Sequence, residues 1–480
     1  MNPVSDVTKP VGGMTRELRW SIYCLLIAVA TGAMLGRIFA VTSVDSMSIE
    51  AHLYREGRAD WQRQRPFLSA NDRSRWATVR ALVENGTYAI DDIVSERGWD
   101  TIDMVKHVGR DGQPHLYSSK PPLFATLMAG PYWVIHRTTG ANLSDHNYEI
   151  GRTMLVLVNV TSMLIYFFVL ASLAERFGTT DWGRLFMIAA ATVGTFLTTF
   201  VISINNHTVA AACVAIVLWA VVRIWYDGER RLRYFGLAGF FSAFAVTNEL
   251  PALSLFALTA TVLAWRAPRE MLRGFVPPAL VVMAAAFGTN YLAHDSWRPP
   301  YMHRSATDPA DNWYDYSFER GGQTRDSYWR NPVGIDQGEP SPARYVWHAT
   351  FGHHGIFSLT PVWVLSIWGL VLLARNPQHR MLAAYIGLLS VVCLAFYLSR
   401  PQMDRNYGGM TSGFRWMFWF APLWLVALLP AADRMAESKW CRAVGLVLLA
   451  LSVLSASYPT WNPWTHPWIW NFLEHLSATV

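Results

Sequence analysis

Charge is what this chain has least of. Only 15% of its 480 residues are Asp, Glu, Lys or Arg, where a soluble domain carries about a quarter. That shortage excludes an ordinary water-soluble globule. The 4 cysteines, Cys24, Cys213, Cys393 and Cys441, lie in or beside apolar runs without paired spacing, so neither a disulfide framework nor a cysteine metal site is expected. No repeat of fixed period, no glycine-rich phosphate-binding loop and no nucleotide-binding domain occurs. A nucleotide-linked substrate therefore has no visible site. The net charge of +6 argues for no nucleic-acid partner, because the basic residues sit in short loops between hydrophobic spans, where membrane topology explains them.

What is abundant is hydrophobic sequence, 52% of the chain, with 23 tryptophans. It is gathered into runs of roughly 17–25 residues, the length that crosses a bilayer. The runs fall near 18–41, 153–173, 183–203, 207–226, 234–247, 251–265, 273–293, 356–374, 381–399, 414–430 and 442–458. An all-α polytopic membrane protein with about eleven (11–13) transmembrane helices is expected. The first run follows a polar leader and lacks a small-residue cleavage site, so it reads as a span and not a signal peptide.

Arg16 and Arg19, Arg176 and Arg184, Arg230, Arg231 and Arg233, Arg266, Arg269 and Arg273, Arg375 and Arg380, then Arg434, Lys439 and Arg442 fall on alternate loops. The positive-inside rule places them in the cytoplasm. The organisation expected is a cytoplasmic leader (1–17), a membrane domain (18–458) and an external aromatic tail (459–480). Two long external loops, 42–150 and 294–352, interrupt the membrane domain. The count balances if 122–135, which contains Pro131, dips into the outer interface without crossing, with Tyr132 and Trp133 at headgroup level.

Chemistry is sought in the outer loops. Arg75 to Glu84 reads as a short amphipathic helix with Trp76, Val79 and Val83 on one face, ended by Asn85-Gly86. Asp72, just before it, reads either as a helix-capping residue or as a reactive carboxylate. Lys120, ahead of Pro121-Pro122, reads either as an interfacial anchor or as a point charge for a lipid phosphate.

Asn71-Asp72-Arg73-Ser74-Arg75-Trp76 together with Tyr117-Ser118-Ser119-Lys120-Pro121-Pro122-Leu123 resembles the first external loop of GT-C glycosyltransferases. The closest branch is that of protein O-mannosyltransferases and lipid A aminoarabinose transferases. The resemblance implies a GT-C-like bundle with interfacial helices in that loop. It implies Asp72 as catalytic base, Lys120 as the lysine on the lipid phosphate, and Arg152 as an arginine that follows in the family and would help hold that phosphate. Many members carry two adjacent acids where this chain has Asp72-Arg73, and an Asp where it has Asn205-Asn206-His207. Arg73, Asn206 and His207 are accordingly substrate-binding candidates.

The implied activity is inverting transfer of a sugar from a polyprenyl-phosphate donor to a glycan, lipid or protein acceptor at the outer face. A transporter or flippase is the alternative; it predicts paired halves with broken helices and midplane charges. Glu249, in the polar Thr247-Asn248-Glu249 break, reads as a turn residue or a sugar contact. Tyr407-Gly408-Gly409 and Arg415 read as a close backbone approach to ligand and a second phosphate cation, or as an outer anchor. No cofactor or metal site is expected; a divalent cation is compatible with the chemistry, but His348, His353 and His354 lack a matching carboxylate. Trp313, Tyr314, Tyr316, Tyr328 and Trp329 in the second loop suit a sugar or a headgroup-level lid. The tail tryptophans read as an interfacial belt.

Overall fold

The computed structural model describes residues 13–41, 67–96 and 98–478. The expected leader, apart from its last residues, and the start of the first external loop lie outside that range. Each apolar run of the sequence forms helix. Seven helices are both long and apolar enough to cross a bilayer: Arg16–Ala40, Asn147–Phe177, Asn206–Trp225, Pro268–His294, Arg380–Leu398, Arg415–Met435 and Lys439–Ser457. Leu250–Arg266 and Trp363–Arg375 are apolar but shorter. The chain is a polytopic α-helical membrane protein. Two small antiparallel hairpins, confined to the loops, are its strands among the described residues.

Burial explains the bundle. In Arg16–Ala40 the buried residues are Tyr23, Ile27, Ala30, Met34 and Ile38, one stripe at helical spacing, so one face packs on protein and the other is left for lipid. Asn206–Trp225 and Arg415–Met435 are buried over 78% of their apolar windows and form the centre. At one end, Arg19 bonds Glu175 at 2.8 Å and Asp181 at 3.1 Å, and the Tyr23 hydroxyl donates to Glu175 at 2.7 Å. These contacts bring together ends that the basic-loop pattern assigns to one side.

The run 183–203 departs from a continuous helix. Helix Asp181–Val193 stops at Gly194 and gives way to short 3₁₀ turns at Phe196–Thr198 and Phe200–Ile202. Hydroxyls cause part of this, since Thr198 bonds the Thr195 carbonyl and Thr199 the Ala456 carbonyl, competing with the helical ladder. Helix Leu232–Asn248 likewise stops just ahead of Pro251, the residue before a proline being biased away from helix.

The segment from Phe67 to Asn147, between the first two long apolar helices, is a compact layer. Its helix begins earlier than the pattern suggests, at Ala70, with Ser69 as N-cap, and ends through a π turn at Gly86, whose φ of 68° suits glycine. Every residue from Asp72 to Arg80 is buried, and Phe67 stacks on Trp76 at 4.5 Å. Strands β1 (Met104–Val108) and β2 (Pro114–Ser118) pair from Met104↔Ser118 to Val108↔Pro114. Helix Pro122–Thr139 follows and is not among the helices apolar enough to cross. Tyr132 corrects an expectation: it is fully buried and donates to the Glu84 carboxylate, whereas Trp133 is half exposed. A phenol needs a partner when buried, and Glu84 supplies it. The second long loop, 294–352, seals against the first, with Lys106 N–H donating to the Trp313 carbonyl at 2.9 Å and Trp329 Nε1 to the Ile102 carbonyl at 2.8 Å.

Candidate functional site

The β1–β2 hairpin makes the first half of the site. Its paired ends set Asp103 and Ser118-Ser119 side by side, Ser119 N–H donating to the Asp103 carbonyl at 3.0 Å. The Ser74 hydroxyl bonds both the Asp103 carbonyl and the Ser118 hydroxyl at 2.6 Å, locking the hairpin to the loop helix. Lys120 Nζ then lies 2.9 Å from Asp103 Oδ1. Burial draws the Lys120 ammonium below the ordinary lysine range, and Asp103 opposes that shift.

Helix ends make the second half. Arg75 on the loop helix donates to Asn206 Oδ1 at 2.8 Å, at the start of Asn206–Trp225. Asn206 Nδ2 donates to Glu249 Oε1 at 2.7 Å and to the Asn248 carbonyl at 2.6 Å, where Leu232–Asn248 ends. Glu249 also contacts His207 Nδ1. On the other side of that ring, Arg415 Nη1 meets His207 Nε2 at 2.8 Å. A guanidinium only donates, so His207 Nε2 accepts and its proton sits on Nδ1, facing the carboxylate. Arg415 is fixed further by two bonds to the Gly408 carbonyl and by Trp464, whose ring lies 4.7 Å away.

Asp72 stands between the halves. Its Oδ2 accepts from Leu68 N–H at 3.2 Å and its Oδ1 from Ile204 N–H at 2.8 Å. Only 1% exposed, its carboxyl is pushed up to about 7 by burial, against the pull of both N–H groups and of Arg75 and Arg73. Arg75 lies within electrostatic reach of Asp103, Asp72 and Glu249, while burial lowers its own pKa. The centre thus brings Asp72, Asp103 and Glu249 together with Arg75, Lys120 and Arg415, and Asp336 lies within electrostatic reach of Asp103, Lys120 and Arg415. An unpaired buried charge is prohibitively costly, and groups of opposite sign make the cluster tolerable.

Asp72, Lys120, Asn206, His207, Glu249 and Arg415 from the sequence reading therefore meet in one region. Arg73 bonds the Asp100 and Phe67 carbonyls with its guanidinium and reaches Asp72 only electrostatically. Arg152 is elsewhere, donating to the Val41 carbonyl at 2.7 Å beneath the end of the first helix. Tyr407 contributes its backbone, whose carbonyl accepts from Arg415 N–H, while its ring stacks on His354 at 4.1 Å. The tail is more than a belt, since Trp464 is buried against Arg415.

Arg75 and Asp103 were not singled out in the sequence. Arg75 looked like a helix-surface residue, and Asp103 precedes strands too short to show alternation. Among the described residues no group of three or more His, Cys, Asp or Glu is arranged to hold a metal ion. An apolar crevice lined by Phe196, Trp363, Met417 and Phe418 adjoins the Arg415 end.

Fold and site together define a polytopic helical membrane protein with a buried polar centre of mixed charge at one end of its bundle. No protein-family model matches the sequence, and no curated protein does. Solved structures similar to it include the crystal structure of ArnT from Cupriavidus metallidurans in the apo state, at 14% identity and a TM-score of 0.49, covering 93% of this chain and 65% of that one. The same protein bound to undecaprenyl phosphate gives 14% identity and a TM-score of 0.47, covering 92% and 65%. This chain thus spans 65% of the length of the structures it matches.

Proposed function

We propose that this chain is a membrane glycosyltransferase of the GT-C kind. It moves a sugar from a polyprenyl-phosphate donor to an acceptor at the outer face of the membrane, with its N-terminus in the cytoplasm. The observation that carries the reading is the meeting of Asp72 and Lys120, the two loop residues of the resembling motif, in one buried cluster of alternating charge. The bond from the sugar's anomeric carbon to the phosphate oxygen breaks, and its electron pair leaves on the lipid phosphate. The acceptor oxygen forms the new bond from the opposite face, inverting configuration, and its proton passes to Asp72.

A phosphate is already a good leaving group, so the protein's task is to hold its growing charge. Lys120, with Arg415 and Arg75 near by, is suited to that once Asp103 shares its lysine. Asn206, His207 and Glu249 line the same centre and are suited to sugar hydroxyls. Arg152 and Arg73 hold backbone carbonyls and have no part in the proposed chemistry. The transporter reading is less well supported, because the clustered charges sit where helices end and not at their midpoints.

The test is a donor titration. Lys120→Ala in membranes supplied with a labelled polyprenyl-phosphate sugar should raise the apparent donor KM at least tenfold. An unchanged titration would return Lys120 to an anchoring role.

A further inference from the structure

Helix Asn147–Phe177 carries a π turn at Val156–Val160, an insertion that commonly re-aims a side chain at a functional site. The buried polar residue in it is Asn159, with no exposure. Its Nδ2 donates to the carbonyls of Val201 and Ser203, each at 2.8 Å, and its Oδ1 accepts from the Thr208 hydroxyl at 3.3 Å. All three partners flank Ile204, in the irregular stretch between the 3₁₀ turn Phe200–Ile202 and helix Asn206–Trp225. Buried backbone carbonyls need partners: Asn159 supplies one to Val201 and one to Ser203, and Asn205 also holds the same stretch by donating to the Phe200 carbonyl at 2.7 Å and the Ser203 carbonyl at 3.2 Å.

Ile204 N–H is the group that donates to Asp72 Oδ1 at 2.8 Å. We infer that Asn159 is a positioning residue: it fixes the path of the Val201–Ser203 backbone so that the Ile204 N–H is aimed at the Asp72 carboxylate. This rests on the reading of Asp72 as the base. The π turn and the break in the following helix then have one purpose between them. A hydrogen bond donated to a carboxylate favours its ionised form, and here it counters the burial that pushes the Asp72 carboxyl upward. The same bond orients the carboxylate, leaving its remaining lone pairs for an acceptor.

The experiment follows the rate of transfer against pH. Asn159→Leu keeps the branched shape, with two methyl groups in place of the amide oxygen and nitrogen, and removes both donors. The acid limb of kcat, expected near pH 7 in the parent, should move up by about one pH unit or more, the worth of one hydrogen bond to a charged group. The donor KM should change little. A rate lowered equally at every pH, with the limb unmoved, would make Asn159 an ordinary packing residue and overturn the inference.

Thr208→Val, which removes only the hydroxyl that holds Asn159 Oδ1, decides the matter if Asn159→Leu does not fold. A smaller shift in the same direction supports the inference, and no shift refutes it. Asp72→Asn separates the two levels. If Asp72→Asn remains active, the reading of Asp72 fails. If it is inactive while neither other variant moves the limb, only the role of Asn159 fails.

Discussion

Asp103→Asn removes the carboxylate that faces Lys120 while keeping its shape. Lys120 and Asp103 are 2.9 Å apart, with side-chain exposures of 21% and 12%. At an effective dielectric constant of about 20 the gross attraction between unit charges at that distance is roughly 6 kcal/mol. Burial of both groups takes back a large part, and removing one partner of such a pair typically costs about 3 kcal/mol. The unliganded variant should therefore melt several degrees lower in detergent. The substitution also takes one negative charge from beside Lys120, leaving Arg75, Lys120 and Arg415 with one fewer carboxylate to face. An anionic lipid phosphate should refill that deficit. Adding polyprenyl phosphate should raise the variant's melting temperature by more than the parent's. Thermal melts with and without the lipid read both quantities. An unchanged unliganded melting temperature, or a lipid-induced gain no larger than the parent's, would refute the charge-balance reasoning.

Two further outcomes follow from the same geometry. Gly408 has a φ of 106°, and a Cβ there would lie 2.8 Å from Arg415 Nε; Gly408→Ala combines backbone strain of about 1–3 kcal/mol with displacement of the guanidinium, so transfer should fall at least tenfold while the protein still inserts, as a membrane-based rate assay would show. Arg80 is a stability hub, bonding Glu84 at 2.8 Å and Glu96 at 2.6 Å with its guanidinium 4.9 Å from the Trp99 ring; Arg80→Met should destabilise the first external loop by about 3 kcal/mol and speed its proteolysis, and wild-type protease resistance would contradict that role.

The helices were legible in the sequence because a bilayer demands long apolar runs, and each run holds helix, though those at 183–203 and 356–374 are broken. Asp72 and Lys120 were legible through a motif, whereas their partners were not. Arg75 lies three residues past Asp72 and reads as one more charge on a loop helix; its meaning comes from Asn206, which is 131 positions away in the chain. Asp103 is defined by hairpin register, and short strands give too few alternations to fix a register in advance. Tyr132 and Trp464 were misplaced for a common reason. Aromatic residues near a membrane suit the interface equally well as a buried contact, and only the partners, Glu84 and Arg415, decide between them. Arg73 and Arg152 were read as ligand contacts from position in the motif alone, yet both guanidiniums bond carbonyls. A motif supplies residue types, and packing decides which way they point.

The central claim is that Asp72 is the base of a sugar transfer. Asp72→Asn, expressed in membranes given a labelled polyprenyl-phosphate sugar, tests it directly once folding is checked by thermal melting. The account predicts a fall in transfer of about 10²–10⁴-fold, the usual contribution of a general base, with donor binding retained. Transfer at the parent rate by a folded Asp72→Asn protein would contradict it.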